Sequence, residues 1–179
     1  MSAFAYFFSA SNIGAGLICL ALGTYVIAKS RSQLNWSYCR LTAALFLNAL
    51  TLSIFWLAAD PAMIGFWYLV SAACRLMVFA AIFALCLEFA EIKAKYIRWA
   101  YLLFPLFYMT VVLGPHYISG FDQALYGNRF LPGPAYPLFP FFYLSFMAVS
   151  LLLVYRVYKQ SPFFYRRKQA QFILISATI

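Results

Sequence analysis

Arg75 is the residue whose type and position ask most directly for chemistry. It stands deep inside an uninterrupted apolar run that begins at Ile64 and continues to Phe89. At 1.5 Å of rise per helical residue it lies about 16 Å from the start of that run, near the middle of any helix built from it. A guanidinium at the centre of a bilayer costs about 2.5–3.5 kcal/mol on insertion scales, so something must compensate it. Glu88 is on the same run but about 20 Å further along the helix axis, out of reach. Asn48, Tyr108 and Tyr143, on neighbouring apolar runs, carry polar atoms that could approach it. The chemistry is therefore recognition: Arg75 either anchors the polar group of a small ligand or ties helices together by hydrogen bonds.

A second constellation is aromatic. Tyr108, Tyr136, Phe139 and Tyr143, with Phe104, Phe107, Tyr117, Tyr126, Phe142 and Phe146, gather around one predicted end of the chain's apolar runs. An apolar, aromatic cavity with a few polar groups is the usual make-up of a small-molecule site. The plainer reading is an aromatic belt with helix packing, since aromatic residues form 21% of the sequence. The candidate ligand-binding set is Arg75, Asn48, Tyr108, Tyr136, Phe139 and Tyr143.

Catalysis finds no such support. The sequence has no GxSxG, no P-loop, no HExxH and no pair of buried carboxylates, so no catalytic residue is expected. One histidine, His116, excludes a multi-histidine metal centre, and Cys19, Cys39, Cys74 and Cys86 form no CxxC pair. Neither a metal, nor another cofactor, nor a disulfide framework is expected. Glu88 and Glu91 close the third run, where pairing with Lys93, Lys95 or Arg40 is the expected role.

The elements that position these residues follow from composition and charge. Apolar residues make up 66% of the 179 and charged residues only 9%, against about 25% charged in soluble domains. All basic residues except Arg75 and Arg129 fall in three clusters: Lys29, Arg31 and Arg40; Lys93, Lys95 and Arg98; Arg156, Lys159, Arg166, Arg167 and Lys168. Basic loops stay on the cytoplasmic side of a membrane, which makes membrane lipids the expected partner of the charge and excludes nucleic acid. The expected fold is an all-α, polytopic transmembrane helix bundle forming a single sensor-sized domain. Its spans run over 6–28, 41–59, 64–89, 99–113 and 138–155, five in full, and a sixth opens at 169. The loops 29–40, 90–98 and 156–168 are placed in the cytoplasm, the N-terminus and the 114–137 loop outside. No cleavable signal pattern precedes the first run, and Trp36, Trp67 and Trp99 fall near predicted interfaces. Ala10, Gly14, Gly16 and Gly23 are expected to let another helix approach the first span. The sixth run reaches Ile179 after about 16 Å, half a hydrocarbon core, so the chain is expected to be the front part of a longer protein.

Several segments together resemble the N-terminal seven-helix membrane region of bacterial sensor histidine kinases, including quorum-sensing autoinducer receptors of that type. They are Phe66-Trp67 after the tight outer turn, Leu87-Glu88-Phe89 closing the third helix, Arg98-Trp99 opening the fourth, and Gly133-Pro134-Ala135-Tyr136-Pro137-Leu138-Phe139 ending the outer loop. The most family-like is Tyr165-Arg166-Arg167-Lys168-Gln169-Ala170-Gln171-Phe172. The resemblance implies a receptor in the bacterial cytoplasmic membrane, part of a two-component system. It would bind a small, often lipid-like diffusible signal, pass a shift to a cytoplasmic output domain such as a histidine kinase, and pair as a homodimer through the parent protein. A small-molecule transporter and a ligand-free membrane scaffold are the alternatives; spans one to three and four to six show no internal repeat of the kind transporters carry.

Overall fold

The computed structural model describes residues 3–92, 94–124 and 127–178, with side chains throughout except at 94–98, 100, 123, 124, 127, 172 and 175–178. In chain order the elements are α1 (Ala3–Lys29), α2 (Gln33–Leu57), α3 (Pro61–Phe89), α4 (Ala94–Phe107), a π-helical turn (Tyr108–Val112), β1 (Ile118–Ala124), β2 (Gly127–Pro132), α5 (Leu138–Gln160) and α6 (Phe164–Thr178). α1, α2, α3 and α5 are long and apolar enough to cross a membrane, and α4 with its π turn holds a shorter apolar stretch, Tyr101–Val112.

The helices are longer than the apolar runs that announce them. α2 starts at Gln33, where the Ser32 hydroxyl accepts the Asn35 amide proton at 3.2 Å and caps the helix. Arg40, expected in a loop, therefore lies within α2, and the link from α1 is only residues 30–32. α5 likewise runs on to Gln160, so the expected 156–168 loop narrows to residues 161–163, and α6 begins at Phe164, ahead of the expected 169. Hydropathy marks what the hydrocarbon holds, whereas backbone hydrogen bonding carries the helix on into the polar interface. Asp60-Pro61 ends one helix and starts the next. The Asp60 carboxylate accepts the Ala62 amide proton at 3.0 Å as N-cap, and Pro61 takes the first helical position, where its missing N–H is no loss.

The outer segment departs most from expectation. Residues 114–137 are not an irregular loop: β1 and β2 form an antiparallel hairpin with Phe121 opposite Phe130 and Asp122 opposite Arg129. The fold is a helix bundle topped by a two-stranded sheet, not purely α. Alternation explains it, because successive strand residues face opposite ways. Phe121 and Phe130 pack on Tyr68, while Asp122 and Arg129 pair in solvent at 3.2 Å. The base of the hairpin is laced by Gly133 N–H to the Tyr117 carbonyl (2.9 Å) and Ala135 N–H to the His116 carbonyl (3.0 Å). A Cβ on Gly133 would sit 2.2 Å from the His116 oxygen, so only glycine fits.

α1 and α2 meet through small and polar residues. The Ser53 hydroxyl donates to the Ser9 carbonyl at 3.2 Å, and the Asn12 amide donates to the Ala49 carbonyl at 2.9 Å. Gly16 and Gly23 face α2 at close range, against Ala49 and Thr42, as expected of them. Ala10 is exposed and Gly14 has nothing near it. The buried stripe is Ala5, Ser9, Gly16 and Gly23, whose period is nearer seven than the two-residue spacing of Gly14 and Gly16; only residues on one helical face can meet a neighbour. Large apolar side chains such as Phe7, Ile18, Met109, Phe141 and Leu152 point outward, the arrangement of a body that faces lipid.

Candidate functional site

α3 is the axis of the site. Tyr68, Arg75 and Phe79 recur along it at seven and four residues, which places them on one face. Arg75 is also the central residue of the helix. The Tyr68 ring packs edge-on against Phe55 of α2 at 5.4 Å. Asn48 stands seven residues back from Phe55 on α2, on the same helical face,.

The polar groups on this face are unpaired. Arg75 makes no hydrogen bond or ion pair among the described residues. The Asn48 Oδ1, the Tyr68 hydroxyl and the Tyr117 hydroxyl are shut from solvent without a hydrogen-bond partner among the described residues. Tyr68 and Tyr117 face each other without completing a bond of good geometry, and Arg75 lies near enough to act on both phenols through space. Burial pushes the Tyr117 phenol up to about 12, against the pull of the Tyr68 hydroxyl and the Arg75 guanidinium. An unsatisfied buried polar group costs about 1–3 kcal/mol, so such a grouping is expensive to keep.

Aromatic side chains wall the face in. Tyr136 and Phe139 contact Tyr117 at 5.7 and 6.1 Å between ring centroids. Below Arg75, Phe79 stacks on Tyr143 at 4.1 Å and touches Phe139 at 6.2 Å. On the hairpin side, Phe130 lies 4.7 Å from Tyr68. Of the six residues singled out from sequence, Tyr136 and Phe139 pack on Tyr117, Tyr143 and Phe139 pack on Phe79 one turn from Arg75, and Asn48 stands on α2. Tyr108 is committed elsewhere: its hydroxyl, at the head of the π turn, donates to the Leu69 carbonyl at 3.0 Å. The turn follows Pro105, whose ring and missing N–H disturb the helical ladder. Tyr126 lies outside the described residues.

Sequence reading missed Tyr68 and Asn128, and it named Tyr117 only as one ring of the aromatic constellation. The seven-residue spacing from Arg75 could have singled out Tyr68. Nothing in the pattern marks Asn128 or the hydroxyl of Tyr117, which arrive only by the folding of the hairpin. Asn128 is buried in β2, and its side-chain amide donates to the Phe55 and Ala58 carbonyls at 2.8 and 2.7 Å.

The opposite, basic end holds a second polar arrangement. α3 finishes with Glu91 in the left-handed region (φ 56°) and with Ile92 N–H bonded to the Leu87 carbonyl at 2.9 Å, a Schellman closure. Arg166, in the first turn of α6, donates to Glu91 Oε1 and to the Phe89 carbonyl, each at 2.6 Å. Glu91 pairs with Arg166, 75 positions away in sequence; Lys93 and Lys95, expected partners of the two glutamates, lie outside the described side chains. Glu88 Oε2 is buried without a partner.

With this architecture in place, a comparison with known families is decisive. The model of the N-terminal 7TM region of histidine kinases matches residues 12–179. The chain belongs to that family. The match spans nearly the whole helical body, hairpin included. No curated protein and no solved structure shows significant similarity to the chain. As the 7TM region of a histidine kinase, with four helices of membrane-crossing length, it is a membrane protein of sensor type.

Proposed function

We propose that this 7TM region receives a small apolar or amphipathic signal on the Arg75 face of α3, beneath the β-hairpin, and passes it to a cytoplasmic output domain, a histidine kinase. The observation that carries the reading is a pair of buried hydroxyls, on Tyr68 and Tyr117, that lack a partner among the described residues and lie within the field of the mid-helix Arg75. A ligand with a polar head would satisfy them, while the surrounding rings hold its apolar part. The face is closed over by Phe121, Phe130 and Tyr136, so admission requires the hairpin to part from α3.

Transmission uses α3 as a rod. Its centre holds the site and its end is gripped by Arg166 of α6, the helix that leads onward. The ligand must favour one arrangement of these helices over another, since equal affinity for both shifts nothing. In this reading α1, α2, α3, α4 with its π turn, and α5 cross the bacterial inner membrane, and α6 enters it. The N-terminus and hairpin lie outside, the basic turns lie in the cytoplasm, and the parent works as a homodimer. The sorting of Asp60, Asp122 and Arg129 to one end and of the basic clusters to the other supports that orientation.

The test is kinase output of the full-length protein in vesicles against a panel of small amphiphiles, for the native protein and Arg75→Ala. A displaced dose response is expected. An unchanged one removes Arg75 from the site.

A further inference from the structure

Two adjoining cavities lie at the basic end, remote from the Arg75 face. One, of about 760 Å³, is bounded by the start of α2, the end of α3 and the start of α6, and Glu88, Glu91 and Arg166 line it. The other, of about 580 Å³, is a nearly wholly apolar groove between α2, α3 and α6, walled by Tyr38, Leu41, Ile82 and Leu85. Leu34, Phe89 and Gln169 border both, so the groove opens into the polar cavity. Their volumes fall within the range of about 300–1,000 Å³ typical of small-ligand sites.

The charge at the mouth is unexpected. The chain has only four acidic residues and a net charge of +9, yet Glu88 and Glu91 both line this cavity. Glu91 is engaged by Arg166, and that guanidinium also holds the Phe89 carbonyl. Arg166 is therefore not an open anion receptor. Glu88 Oε2 has no partner among the described residues, and an ionised carboxylate can only accept hydrogen bonds. What completes it must bring an N–H or O–H donor, best a charged one. The apolar groove alongside suits an alkyl chain.

We propose that this pair of cavities is a binding site for a phospholipid with a primary-amine headgroup: the ammonium donates to Glu88 and an acyl chain lies in the groove. Bound there, the lipid abuts the Arg166 grip on α3, so membrane composition bears on the position of α6 independently of the Arg75 face.

The probes are phosphatidylethanolamine and phosphatidylcholine with identical acyl chains. Both headgroups are cationic at nitrogen, but only the first has N–H donors. The full chain is reconstituted in equal mixtures of the two, extracted, and its retained lipid weighed by native mass spectrometry. The expected result is one retained phosphatidylethanolamine, preferred over phosphatidylcholine by about tenfold, the scale of a single charge-assisted hydrogen bond. Glu88→Gln, which keeps an acceptor but loses its charge, should cut the preference sharply, and Leu85→Trp, which fills the groove, should abolish retention of both lipids. Equal retention of the two lipids by the native chain overturns the proposal, and that arm needs no variant to fold. So does an unaltered preference in Glu88→Gln. Absence of any retained lipid overturns it as well, and would point to a groove covered by protein.

Discussion

The side-chain amide of Asn128 donates to the Phe55 carbonyl at 2.8 Å, joining the hairpin to the end of α2 across 73 residues of sequence. A second bond, to Ala58 at 2.7 Å, makes Asn128 a cap supplied in trans to the last carbonyls of that helix. Helix ends leave carbonyls without intrahelical partners, and here a strand answers them. Asn128→Ala should cost about 1–3 kcal/mol, the range for orphaning buried partners. Asn128→Asp should cost at least as much, because it offers no N–H. Thermal unfolding and amide exchange over 118–132 measure both; wild-type protection in either variant would contradict this.

Tyr68→Phe and Tyr117→Phe should leave stability unchanged or raised, since each deletes a buried hydroxyl that has no partner,. The same changes should weaken the response of the full-length kinase to its signal. A loss of stability with a normal response would mark these hydroxyls as structural.

The Tyr117 phenol predicts a pH dependence. An unfolded tyrosine ionises near pH 10, and Tyr117 in place is pushed up to about 12, chiefly by burial. Folding thus favours the protonated form. The stabilising effect of the shift is complete below the unfolded value and is lost as pH rises through the folded one. The hairpin should stay docked to about pH 10 and release as pH approaches 12. A titration of tyrosinate absorbance, native against Tyr117→Phe, reads it; an undiminished late-ionising amplitude in the variant would contradict the assignment.

Glu91→Gly should be neutral or stabilising even though it removes the ion pair with Arg166. Glu91 is largely exposed, at 74%, and exposed pairs contribute at most about 1 kcal/mol. Its left-handed conformation (φ 56°) costs a non-glycine residue about 1–2 kcal/mol. Arg166→Gln should be the more harmful change, because it also releases the Phe89 carbonyl. Chemical denaturation of the three proteins orders them; Glu91→Gly below Arg166→Gln would reverse the argument.

Gly23→Ala should disrupt the contact of α1 with α2, since the new Cβ would lie 1.9 Å from the Thr42 hydroxyl oxygen, which is held by its bond to the Cys39 carbonyl at 2.9 Å. Gly14→Ala meets nothing within 4 Å and should gain up to about 1 kcal/mol of helix propensity. Cysteine cross-linking between α1 and α2 separates the two outcomes.

The sequence by itself determined the membrane character, the order of the long apolar helices, and the prominence of Arg75. Each of these is a one-dimensional matter: a run of apolar residues, the charges that bound it, and a charge inside it. It also marked Tyr136, Phe139 and Tyr143, because aromatic residues near a polar interruption stand out in composition. Helix ends were less legible, since Ser32 and the backbone of α2 extend a helix beyond its apolar stretch. The hairpin was hidden because the glycines and prolines of 114–137 mask the alternation of Phe121, Asp122, Arg129 and Phe130. Only the tertiary structure decided who meets whom. Phe55 of α2 packs on Tyr68 of α3, a pairing that no local pattern records. Arg166 reaches Glu91, and Asn128 reaches Phe55, across separations that no local pattern records. Partner choice in a bundle is set by packing and hydrogen bonding between elements distant in sequence, and those exist only once the chain has closed on itself.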